Sequence, residues 1–120
     1  MKKRVLLIDD DETLLELGRE MFEILNIEAL TAFDLNEAVK HFVEFHECIN
    51  MVVFDLNLDQ MSGIDVFQAL KEIDNNFNAI LASGIFIDED APKYMEMGFK
   101  EIILKPYNLN TLKQLSDKYF

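Results

Sequence analysis

Basic residues are scarce in this chain: eleven Lys and Arg stand against 23 Asp and Glu, a formal net charge of −12. Binding nucleic acid requires a concentration of cations that neutralises phosphates, so direct DNA binding by this chain is disfavoured. Cysteine is almost absent too. The single Cys48 excludes an intrachain disulfide framework and suits a reducing cytoplasm. It reads as a small, partly buried hydrophobe rather than a catalytic thiol, with only His46 close by in sequence. Long apolar runs are missing as well. Nothing approaches a membrane span, and the opening Met-Lys-Lys-Arg is followed by only four apolar residues, so neither a membrane segment nor a signal peptide is expected. No repeat, linker or low-complexity segment interrupts the chain. What is present is a globular composition: 120 residues, half hydrophobic and 28% charged, enough for one domain over 1–120 with a real core.

Five short runs rich in apolar and β-branched residues predict strands at 4–8 (RVLLI), 28–32 (EALTA), 51–54 (MVVF), 79–82 (AILA) and 101–104 (EIIL). Those at 5–8, 51–54 and 102–104 are continuously apolar, as strands covered on both faces must be; the mixed second run belongs at an edge. Helix-length segments lie between them. From about Glu12 to Leu25, the spacing of Leu14, Leu17, Met21, Phe22 and Leu25 predicts an amphipathic helix. Asp34 and Glu37 resemble a capping box ahead of a stripe of Ala38, Phe42 and Phe45. Val66, Phe67, Leu70 and Ile73 mark a third helix between Gly63 and the turn-forming Asp74, Asn75 and Asn76. A short fourth, about 89–97, has Pro92 in its first turn and Gly98 at its end. Asn108 caps a fifth, with Leu109, Leu112, Leu115 and Tyr119 facing inward. Alternation of strand and helix five times predicts a parallel sheet with helices on both faces, and such sheets bind ligands beyond the carboxyl ends of their strands.

Those ends carry Asp9, Asp10 and Asp11 after the first strand, Asp55 after the third, Ser83 after the fourth and Lys105 after the fifth. Asp9, Asp10 and Asp55 are hard oxygen ligands of the kind magnesium takes, and a dication would offset their repulsion. Without it, one carboxylate is expected to titrate high. A carboxylate beside such a cation can attack phosphorus and form an acyl phosphate, with a lysine ammonium and a serine hydroxyl stabilising the transferred oxygens. Asp55, central and directly at a strand end, is the best candidate nucleophile.

VLLIDDD, FDLNLDQMSG, LASG and LKPY, in this order and spacing, resemble the receiver domain of two-component response regulators over essentially the whole chain. The resemblance implies a flavodoxin-like (βα)5 three-layer sandwich of strand order 2-1-3-4-5. It implies Asp55 as phosphoacceptor, Asp9 and Asp10 as the acidic pair serving Mg2+ (Mn2+ possible), and the backbone carbonyl of Asn57 as a further ligand. Ser83 becomes the switch hydroxyl and Lys105 the phosphoryl-binding lysine, with Pro106 after a cis peptide. The implied donor is a histidine kinase or phosphotransfer protein, and the implied recipient of the signal is a downstream protein or an output domain beyond this chain. A cytoplasmic signalling phosphoprotein that catalyses its own phosphotransfer and dephosphorylation is therefore expected.

Two positions depart from the family pattern. Asp59 stands where proline is usual, adding a carboxylate near the metal. Ile102 replaces the aromatic residue of the switch, so the output is expected to rest on the loop at 84–88, where Ile85, Phe86 and Ile87 offer either core or a docking patch. Rival functions are a haloacid-dehalogenase-like phosphohydrolase, whose Asp-x-Asp motif Asp55-Leu56-Asn57 imitates without the second aspartate, and a pseudo-receiver that only binds a partner. Asp11 and Glu12 read as a helix start, and His41 and His46 as surface residues.

Overall fold

A computed structural model describes residues 3–58, 61–85 and 89–120. The elements run β1 (Arg4–Ile8), α1 (Glu12–Ile24), β2 (Glu28–Ala32), α2 (Leu35–Phe45), a 3-10 turn (His46–Cys48), β3 (Ile49–Asp55), α3 (Gly63–Ile73), β4 (Asn78–Ser83), α4 (Ala91–Met97), β5 (Phe99–Leu104) and α5 (Leu109–Tyr119). All strand pairs are parallel and the order is β2-β1-β3-β4-β5. The expected flavodoxin-like sandwich is what the chain forms, with the mixed strand β2 at one edge; β5, expected to be covered on both faces, is the other edge, and its Leu104 is 51% exposed.

Alternation along each strand divides the core into two layers. Leu6, Ile8, Val52, Phe54 and Leu81 face α2, α3 and α4 and meet Phe42, Val66, Phe67, Leu70 and Phe99. Val5, Leu7, Met51, Val53 and Ile80 face α1 and α5 and meet Leu15, Phe22, Leu112, Leu115 and Tyr107. A run such as Val5–Ile8 is continuously apolar because both faces are covered. The strand order reverses between β1 and β3, so the crevice above their carboxyl ends is where a ligand fits.

Helix boundaries follow local chemistry. Asp11 caps α1 by accepting from the Leu14 amide, Asn108 caps α5 through Thr111, and Gly98 closes α4 at φ 122°. Asp34 caps α2 through the Glu37 amide, but the Glu37 carboxylate accepts from Phe33, one residue before the cap. The reciprocal box occurs instead at α3, where Ser62 accepts from Ile64 and Asp65 from Ser62.

Three apolar expectations are corrected. Leu17 points outward at 37% exposed, whereas Leu15, Gly18 and Phe22 form the buried stripe of α1. The helix turns that face to the sheet because Gly18 permits close approach: a Cβ there would lie 2.9 Å from Leu7 Cδ1. Ile73 and Leu109, at the ends of α3 and α5, are likewise exposed, being beyond the reach of the sheet.

Candidate functional site

Strand geometry delivers the acidic groups. Asp9 follows the last residue of β1 and its amide still bonds to the Ala32 carbonyl at 3.1 Å, which continues the ladder and buries the side chain completely. Asp55 is the last residue of β3 and Ser83 of β4; both are buried too. Asp10 is half-buried at the crevice, and one oxygen each from Asp9, Asp10 and Asp55 lies within 4.8 Å of the others. Lys105 enters from the end of β5, its amide bonded to the Ser83 carbonyl at 2.8 Å. Its Nζ reaches Asp55 Oδ1 at 3.0 Å and Asp9 Oδ2 at 3.3 Å, across 96 positions of sequence. All four strand ends that the sequence nominated therefore meet at one sheet edge.

The loop after Asp55 is folded back on itself. Asn57 and Ser62 form an antiparallel bridge, the Leu58 amide bonds to the Met61 carbonyl, and the Gly63 amide to that of Leu56. Gly63 allows this closure: a Cβ there would stand 2.1 Å from the Asp55 carbonyl oxygen. The Asn57 amide donates to Asp55 Oδ1 at 3.2 Å, so that oxygen has two donors. The other, Oδ2, is buried without a partner among the described residues. Ser83 Oγ accepts from the Ile85 amide at 3.2 Å, which leaves its own proton available for donation.

Electrostatics match the expected crowding of like charges. Burial above all, with the Asp55 charge added, pushes Asp9 from 3.8 up to about 6, against the opposing Asp11 amide and Lys105. For Lys105, burial pulls the pKa down but is outweighed by the hydrogen bond to Asp55 and the charges of Asp9 and Asp55, so the net shift is upward and the ammonium is retained. The donor set fits a hard dication: three carboxylates converge, one oxygen is unpartnered, and a cation would relieve the pressure on Asp9.

Asp11 has the helix-capping role expected of it, its amide held by Asp9 Oδ1 at 3.0 Å. His46, in the turn before β3 and so at the opposite end of that strand from Asp55, pairs with Asp74 at 2.6 Å. Ile102 is half-buried against the core on the α2–α4 face and pairs with Leu81. Ile85 is 66% exposed; Asp59, Phe86 and Ile87 lie outside the described residues. One neighbour of the site escaped the sequence reading. Tyr107, two residues after Lys105, is buried with its hydroxyl unpartnered among the described residues; burial first, then Asp9, Asp55 and Asp11, raise its pKa. Nothing in the letters LKPY signals that placement.

Comparisons with known proteins agree with this geometry. The family model described as the response regulator receiver domain matches residues 5–117. The transcriptional regulatory protein PrrA of Mycobacterium leprae is 28% identical over 109 residues, covering 91% of this chain and 46% of its own length. The transcription factor SKN7 of Chaetomium thermophilum is 24% identical over 114 residues, 95% of this chain and 15% of that protein. This chain thus spans less than half the length of these two relatives. A crystal structure of a response regulator receiver domain protein from Clostridium thermocellum shares 27% identity at a TM-score of 0.87, covering 98% of this chain and 93% of that one. The response regulator TrrA of Thermotoga maritima, solved in complex with Mg(2+)-BeF, shares 24% at a TM-score of 0.80 over 98% and 99% of the two chains. With the fold, the match over nearly the whole length and the acidic edge in agreement, this chain belongs to the response regulator receiver family of two-component signalling.

Proposed function

We propose that the chain is a single receiver unit over 1–120 in which Asp55 accepts a phosphoryl group. The observation that carries this is the asymmetry of the Asp55 carboxylate: Oδ1 is held by Lys105 and the Asn57 amide, and Oδ2 is buried with no partner among the described residues. Oδ2 attacks phosphorus, the bond from phosphorus to the donor's nitrogen or oxygen breaks, and the leaving group departs with the electron pair. The product is an acyl phosphate on Asp55. Lys105 moves from carboxylate to phosphoryl oxygen, and the Ser83 hydroxyl donates to another. Attack of water on the same phosphorus releases inorganic phosphate and restores the carboxylate, so slow self-dephosphorylation is part of the role.

Asp9, Asp10 and Asp55, with the Asn57 carbonyl, would hold Mg2+ or Mn2+, whose charge neutralises the phosphoryl oxygens when bound. The donor is a histidine kinase or phosphotransfer protein, and the signal passes to a downstream protein or to an output domain outside this chain. The names and greater lengths of PrrA and SKN7 support an output of that kind. With a net charge of −12, any DNA contact belongs to another segment or partner. The cytoplasm is the proposed compartment, supported by the lone Cys48. Acceptance of the phosphoryl group shifts an equilibrium at the α4–β5 face, where Ile85 and Leu104 (66% and 51% exposed) flank Ser83 and Lys105.

Incubation with radiolabelled acetyl phosphate tests the reading. Labelling is expected with magnesium, absent with excess chelator and absent in Asp55→Asn. Label that persists unchanged in Asp55→Asn overturns the assignment, and sustained turnover of stable phosphoesters would favour the hydrolase instead.

A further inference from the structure

Lys105 Nζ lies 3.0 Å from Asp55 Oδ1, yet the strand that carries this lysine ends one residue before it. On the N-terminal side its backbone is secured by the bond from its amide to the Ser83 carbonyl. On the other side the first buried residue is Tyr107, 3% exposed, amid the cluster of Leu7, Leu15, Leu112 and Leu115. Its ring lies against α1 where that helix has no side chain. A Cβ on Gly18 would stand 3.1 and 3.2 Å from ring atoms Cδ2 and Cε2, and 2.9 Å from Leu7 Cδ1. The ring therefore fills a notch between α1 and β1. Both elements lead into the acidic pocket, β1 through Asp9 and α1 through its cap Asp11, whose amide is bonded to Asp9. The buried hydroxyl finds no partner among the described residues, which costs free energy that a phenyl ring would not incur. It is thus the ring's bulk that the notch uses.

We propose that Tyr107 is a positioning residue for Lys105: seated in the Gly18 notch, its ring holds the ammonium at Asp55 and so sets the affinity of the site for a phosphoryl group. This rests on the receiver reading above. It assigns the role to ring shape and not to the phenol.

A double-mutant cycle separates such positioning from ordinary packing. Beryllofluoride affinity at saturating magnesium, acetyl phosphate labelling rate and urea stability are measured for the wild type, Tyr107→Leu, Tyr107→Phe, Lys105→Gln and Tyr107→Leu/Lys105→Gln. Tyr107→Leu is expected to weaken beryllofluoride binding about tenfold, the scale of coupling between interacting residues. Tyr107→Phe restores the affinity to within about twofold and resists urea better, having shed a buried unpartnered hydroxyl. In the Lys105→Gln background the leucine substitution should change affinity no further. An equal loss with and without Lys105 overturns the proposal, as does a Tyr107→Phe protein as weak as Tyr107→Leu. If Tyr107→Leu does not fold, Gly18→Ala, which presses on the ring from the helix side, is taken through the same cycle, and an additive loss there is equally fatal. A folded wild type that neither binds beryllofluoride nor labels overturns the receiver reading itself.

Discussion

Between Asp9 and Asp55 one ammonium serves two buried carboxylates, and the shortfall is visible in Asp9, raised by burial and by its neighbour's charge to about 6. Folding therefore favours the protonated form. The contribution of Asp9 to stability is present in full below its unfolded value of 3.8 and is lost as pH rises through about 6. In the metal-free protein, Asp9→Asn should remove that loss, so its stability relative to wild type should grow across this window. Urea unfolding of both proteins as a function of pH checks it, and parallel curves would show that Asp9 carries no such penalty. The crowding itself was legible in VLLIDDD and FDLN, because charges placed directly after buried strands have few places to go. Which oxygen of Asp55 remains unpartnered was not, since it depends on a lysine 50 positions away in sequence.

Helices and loops show the same division. Hydrophobic spacing located four of the helices, and Pro92 with Gly98 bounded the short α4; in α1 the spacing found the core-facing side through Leu14, Met21, Phe22 and Leu25 and misplaced only Leu17. Leu17 is outward and Gly18 inward, where a Cβ would stand 2.9 Å from Leu7 Cδ1. Gly63 makes the point quantitatively. It opens α3 with ordinary backbone angles, so Gly63→Ala would by helix propensity gain up to ~1 kcal/mol. The added methyl would meet the Asp55 carbonyl at 2.1 Å, where the obstacle is backbone and cannot swing aside. The substitution is instead expected to destabilise by about 3 kcal/mol and to slow labelling of Asp55 by displacing it. Denaturant unfolding together with acetyl phosphate labelling would show this; a gain in stability would mean that the loop yields.

At the scale of the whole molecule, three carboxylates converge in one pocket of a chain with a net charge of −12, so magnesium is expected to stabilise the fold. A cation bound only by the native state at about a hundred times its Kd adds about 2.7 kcal/mol. Magnesium titration followed by thermal unfolding should give a rising midpoint in the wild type and a flat response in Asp10→Ala, which keeps the buried pair intact while removing the half-buried carboxylate of the cluster. The sequence by itself determined the alternation of elements, the parallel sheet and the chemical types at its edge, because strand and helix periodicity and the residues after each strand are local properties of the chain. Only the tertiary structure decided that Lys105 spans Asp9 and Asp55, that one oxygen of Asp55 is buried without a partner among the described residues, and that Tyr107 sits in the notch of Gly18. Those depend on how closely α1 and the β5–α5 connection pack, and packing distance is set by the shapes of residues far apart in sequence, which no local pattern encodes.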